Sequence, residues 1–142
     1  MNHVIVAALR ADLDKLRPTN PLADVYRFVL EHGRYYVAVE RPKGFRRQLR
    51  PKQCFANATR TSQQKIEASY VEGFALKTGR SPFQHAWVTL DGLHAIDQTL
   101  QRPERFLYFG IPFTAEIVSK VTYTRGHFGL LDPFEPELVR AS

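Results

Sequence analysis

With Cys54 as its only cysteine, the chain cannot form an internal disulfide or a zinc cluster built on several thiolates. The histidines lack the paired spacing of a metal site, so neither a metal nor another cofactor is expected. No apolar run approaches the ~20 residues that cross a bilayer, and no membrane contact is expected. A glycine-rich phosphate loop is also missing. The short apolar patch Val4 to Leu9 has no basic stretch before it, and Arg10, Asp12, Asp14 and Lys15 follow at once. A signal peptide is therefore not expected. A lone thiol suits a reducing compartment, so the expected location is cytoplasmic, although a secreted effector is also compatible.

Acidic residues are missing from one stretch. Between Arg41 and Lys52 stand Arg41, Lys43, Arg46, Arg47, Arg50 and Lys52 without a carboxylate among them, in a chain of net charge +6. Such a loop can simply be solvated. It can also receive an acidic partner, or contact nucleic acid through phosphates. A local role is open as well, because cations just before Cys54 favour its thiolate.

The composition that remains, 44% hydrophobic and 24% charged, is that of one globular domain spanning 1–142 around one core. Val6, Leu9, Leu13 and Leu16 recur at helical spacing up to Pro18. Asn20 caps a second predicted helix with Pro21 at its first position and Gly33 at its end. Tyr35 to Val39 reads as a strand, so residues 1–40 hold two helices and one strand. Cys54 to about Glu67 reads as a helix with Phe55, Ala58 and Ile66 toward the core. Ser69 to Leu76 has strand composition, with Gly73 a point of close approach. Phe83 to Leu90 and Leu93 to Thr99 read as strands joined through Asp91-Gly92, and Arg105 to Phe109 as another. Helices followed by strands predict an α+β fold, the helix that opens at Cys54 packing on an antiparallel β-meander.

A thiol followed by His85 and then Asp97 is the inventory of thiol acyl transfer: a nucleophile, a base that ionises it, and a group that orients the base. At the first turn of a helix, free N–H groups and the helix dipole would stabilise the Cys54 thiolate. The hairpin through Asp91-Gly92 closes in one of two ways. A two-residue turn sets His85 opposite Gln98 and turns Asp97 to the other face. A three-residue loop pairs Thr89 with Leu93 and sets His85 directly opposite Asp97. A triad predicts the second register. His94 is expected to be structural.

The segments Cys54-Phe55-Ala56-Asn57-Ala58, Tyr70-Val71-Glu72-Gly73-Phe74, His85-Ala86-Trp87 and Asp97-Gln98-Thr99 together resemble the transglutaminase-like core of the papain-like superfamily. The resemblance covers residues 48–100 and describes a minimal version. Gln98 stands where the family usually has proline, and Phe55 where tryptophan or glycine is frequent. The resemblance implies that Cys54 is the nucleophile, His85 the general base and then acid, and Asp97 the carboxylate that orients the imidazole. It makes Gln48, six positions before the cysteine, the candidate oxyanion donor, with Gln53 and the Cys54 N–H as alternatives. Trp87, Glu72 and Asn57 become candidates for the substrate cleft. The activity implied is acyl transfer from amide bonds of peptides or proteins: hydrolysis by default, with deamidation or transamidation as variants. The rival expectation is an inactive papain-like module that binds protein or nucleic acid through the basic 41–52 loop.

Overall fold

A computed structural model describes residues 2–45 and 50–139. The first helix, α1 (Asn2–Lys15), buries Ile5 and Leu9 completely. The second, α2 (Pro21–His32), starts as its sequence predicts: the Asn20 side chain accepts from the Leu22 N–H at 2.9 Å, and Pro21 occupies the first turn, where its missing N–H costs nothing. Five strands follow the helical hairpin: β1 (Arg34–Ala38), β2 (Ser69–Lys77), β3 (Phe83–Thr89), β4 (His94–Ala95) and β5 (Phe106–Phe113). Between β1 and β2 lies α3 (Cys54–Gln64). After β5 come α4 (Ala115–Arg125), capped by Thr114 and ended by left-handed Gly126, and the short α5 (Pro136–Val139).

The fold is α+β, as expected, but its sheet is not a meander. The strand order is β3-β2-β5-β1-β4, and β4 runs parallel to β1. The long β5 sits at the centre, antiparallel to both β2 and β1. It runs through Gly110-Ile111-Pro112, beyond the Phe109 end that its sequence suggested. A proline is tolerated there because β1 stops pairing at Gly110, so that flank of the strand is already open.

The sheet curls until its two edges touch. Val88 of β3 and Ile96 just after β4 exchange both backbone hydrogen bonds, at 3.2 and 2.8 Å. Curling requires backbones to come close on the concave side, and Gly73 and Gly110 lie opposite one another where they do. A Cβ on Gly73 would lie 2.3 Å from the Phe109 carbonyl oxygen, and one on Gly110 2.9 Å from the Trp87 ring. Only glycine fits.

Two cores result. On the outer face, Tyr70, Phe74, Leu107, Phe109 and Phe113 pack beneath the helices, α1 and α2 over β5 and α3 over β3 and β2. Inside the curl, Tyr36, Val71, Ala75, Trp87, Ala95 and Tyr108 form a smaller cluster. Strand alternation on β3 therefore sends Ala86 and Val88 toward the helices, and His85 and Trp87 into the curl. The Cys54 helix ends at Gln64, earlier than expected, and Ile66 is 99% exposed rather than part of the core. The Lys65–Ala68 turn that follows leaves the helix axis and carries it outward.

Candidate active site

Cys54 is the first residue of α3, the position the sequence predicts. The turn before it is held tightly. The Arg50 carbonyl accepts from the Gln53 N–H at 3.3 Å and from Asn57 Nδ2 at 2.9 Å. Asn57 also donates to Thr99 Oγ1 at 2.9 Å, which ties the turn to the segment carrying Asp97. Lys52 has φ 61, a left-handed conformation that costs a residue with a Cβ about 1 kcal/mol and survives only where its surroundings enforce it.

His85 and Asp97 meet at 2.7 Å through Nε2 and Oδ2, and both are essentially buried. They do so without the expected register. The Val88–Ile96 bridge is offset by two residues from the three-residue-loop pairing, which would have put Val88 opposite His94. An offset of two preserves the faces of a strand, so His85 and Asp97 still point into the same space. The loop itself is held by the Asp91 side chain, which accepts from the Leu93 and His94 N–H groups at 2.8 and 2.9 Å and meets His94 Nδ1 at 2.5 Å. His94 is thus structural, as expected.

Every lone pair direction of the Asp97 carboxylate is used. Oδ1 accepts from the Thr99 and Leu100 N–H groups at 2.8 and 3.0 Å. Oδ2 accepts from Tyr108 Oη at 2.8 Å and faces His85. Arg41 fixes the same turn from outside, donating from its guanidinium to the Asp97 carbonyl at 2.8 Å and to the Leu100 carbonyl at 2.9 Å. Gln98 accepts from Thr61 of α3 at 2.7 Å, a bond that proline at this position could not make.

The electrostatics follow from this packing. Burial pushes the His85 pKa down, but the Asp97 charge and hydrogen bond, and then those of Cys54, outweigh it and hold the imidazole up at about 9. Burial pushes Asp97 up, and the His85 charge, the His85 hydrogen bond and the two backbone N–H groups outweigh that and hold it lowered. Tyr108 is driven upward by burial and by the Asp97 charge, so it stays a neutral donor. At neutral pH the buried pair is imidazolium and carboxylate, with Cys54 beside the imidazolium. Nε2 is committed to Asp97, which leaves Nδ1 for the sulfur. Exposure runs from Asp97 at 0% through His85 at 2% to Cys54 at 9%, so Cys54 is the member of the array nearest solvent.

The other predicted site residues take different places. Gln48 lies outside the described residues. Gln53 is exposed at the N-terminal boundary of α3. The three expected cleft residues are each buried and engaged with protein. Trp87 is 1% exposed and stacks against His85 with ring centroids 6.1 Å apart, so it backs the imidazole from inside the curl. Asn57 braces the turn before Cys54, as described above. Glu72 accepts from Tyr70 Oη and from the Leu130 and Leu131 N–H groups at 2.8 and 3.0 Å, anchoring the C-terminal loop beneath α4. Tyr108 and Arg41 join the site without a sequence signal of their own: Tyr108 shows only strand composition, and Arg41 stands at the head of the basic stretch.

Comparisons with protein-family models, with curated proteins and with solved structures found no match. The case for function therefore rests on the site.

Proposed function

We propose that this chain is a cysteine-dependent acyl-transfer enzyme acting on amide bonds of peptides or proteins, with Cys54, His85 and Asp97 as its triad and a minimal papain-like, transglutaminase-like core. The observation that carries the reading is the buried His85–Asp97 pair with Cys54 against the imidazole at a helix start. Burying an ion pair is costly, and this one is furnished with three further hydrogen-bond donors and a guanidinium clamp that a merely structural histidine does not need.

The chemistry follows from the charges. An imidazolium beside the sulfur stabilises the negative charge the nucleophile must carry. The Cys54 thiolate attacks the amide carbonyl carbon, and the carbonyl oxygen becomes an oxyanion. The helix-start N–H groups, Cys54's own included, are the nearest backbone donors for it. When the C–N bond breaks, His85 gives its proton to the departing amine and a thioester remains. Water then attacks the thioester with neutral His85 as base, the C–S bond breaks, and acid and thiolate are restored. An amine in place of water gives transamidation, and a glutamine side chain as the acyl donor gives deamidation.

Iodoacetamide labelling of Cys54 against pH, in wild type and His85→Ala, tests the pair. Labelling at neutral pH should be fast and should fall in the variant. An ordinary thiol indifferent to His85 would instead favour an inactive binding module.

A further inference from the structure

No acidic residue stands between Arg41 and Ile66, the stretch that leads into and forms the Cys54 helix. Its described cations have no ion pair to an acid among the described residues. The ion pairs among the described residues involve Arg27, His32, His85, His94 and Arg125 only. Arg41 is spent on two carbonyls, Arg60 lies over the Phe128 ring at 5.1 Å, and Lys65 lies over the Phe45 ring at 5.1 Å. These partners are neutral and leave the charge uncompensated. The buried carboxylates Asp97 and Glu72 are saturated with donors and offer these cations no partner.

Two of these cations are mounted on the site itself. Arg50 and Lys52 are exposed and precede Cys54 by four and two residues. Their turn is pinned through Asn57 to Thr99, so the side chains leave from a backbone fixed relative to the triad. The left-handed backbone at Lys52 would suit glycine better, yet the position carries a charge.

We infer that the Cys54 site takes an acidic peptide segment, whose carboxylates pair with Arg50 and Lys52 while the amide reaches the sulfur. This rests on the acyl-transfer reading for the reaction and for the choice of a peptide, but not for the acidic preference. A peptide fits better than a nucleic acid because the reacting group at this mouth is a thiol suited to amides. Beside Cys54, moreover, Phe55 is only half-buried against the outer core and leaves some apolar surface for side chains. A positive field at the mouth would raise the local concentration of such substrates, with a strong dependence on salt.

The test uses a fluorescein-labelled glutamate-rich peptide, its glutamine counterpart and a labelled single-stranded RNA, each followed by anisotropy with the full chain. The glutamate peptide should bind, weaken as salt rises, and protect Cys54 from iodoacetamide. Arg50→Glu with Lys52→Glu should weaken its binding about tenfold, while Arg10→Glu with Lys15→Glu, both exposed on α1, which packs chiefly on α2 and β5, should leave it unchanged. If the double reversal fails to fold by circular dichroism, Arg50→Gln and Lys52→Gln singly should each weaken binding by a smaller factor. Equal binding of the glutamine peptide, indifference to the charge changes, or binding of RNA but not of the peptide overturns the inference. Anisotropy reads binding without chemistry. An inert thiol in a protein that still binds the peptide therefore sinks the acyl-transfer reading alone, whereas a reactive thiol without acidic preference sinks this one alone.

Discussion

His85 Nε2 and Tyr108 Oη converge on the same oxygen of Asp97, at 2.7 and 2.8 Å, while the other oxygen holds the backbone of its own turn. The carboxylate is thus fixed in position and orientation before any substrate arrives, and the imidazole inherits that fixation. Replacing it with an isosteric amide separates charge from shape. Asp97→Asn should fold, drop amide turnover by about a thousandfold or more, and shift the alkaline limb of the pH profile well below its wild-type position near 9. The pH dependence of kcat/KM checks both. A variant whose limb stays near 9 would show that Asp97 does not set the His85 charge.

Tyr108→Phe removes one donor and nothing else from this cluster. It should cost about 1–2 kcal/mol of stability and reduce turnover by about tenfold, through looser placement of the imidazole. The alkaline limb should not move down, because a carboxylate with one donor fewer is a stronger partner for His85⁺. Urea unfolding and the pH profile together separate this outcome from that of Asp97→Asn. A fall in the limb would mean that the hydroxyl acts on His85 by a route other than Asp97.

Much of this arrangement was legible in the chain, and the illegible part has a common physical origin. Asn20, Pro21 and Gly33 mark the ends of α2 through local hydrogen bonding and backbone preference, which short windows of sequence carry. Cys54 opens its helix without such a cap: Gln53 makes no capping side-chain bond, and the turn is held instead by Asn57 and Thr99. The pairing of β4 with β1 is different: residues 37–38 meet residues 94–95 past two intervening strands of the sequence, and nothing in either segment encodes a parallel neighbour. Residue parity survived the wrong register, so His85 and Asp97 were correctly expected on one face. The roles of Glu72 and Asn57 were not legible because burial depends on which elements pack together. Glu72 looks like a solvent-facing strand residue until the 130–131 backbone arrives to cover it.

Stability should depend on pH through the same buried pair. The folded pKa of His85 is raised from 6.5 to about 9, so its contribution is complete below about 6.5 and is lost as pH rises through 9. Asp97 is lowered, so its contribution is present above the ordinary carboxylate range and is lost as pH falls through its folded value. The pair therefore supports the fold most between these limits, and its loss toward pH 9 should be a few kcal/mol. Urea midpoints measured from pH 5 to 10 should decline across pH 6.5–9 in wild type and flatten there in His85→Gln. A wild-type curve that is flat in that window would mean that His85 is neutral in the folded protein.

Glu72 supplies the contrasting case of a buried carboxylate whose partners are fixed by the backbone rather than by a charge. Burial raises its pKa, and the Tyr70 hydroxyl with the Leu130 and Leu131 N–H groups works against that rise. Glu72→Ala strands two buried N–H groups and one hydroxyl, each costing about 1–3 kcal/mol, so it should destabilise the fold by at least about 3 kcal/mol in total. Glu72→Gln keeps one acceptor oxygen and should lose less. Hydrogen exchange localises the effect: the Leu130 and Leu131 amides should lose protection first in Glu72→Gln, before the strands of the curled sheet. Uniform loss of protection across the molecule would mean that the C-terminal loop and the sheet open as one unit and that Glu72 holds the whole fold rather than the loop.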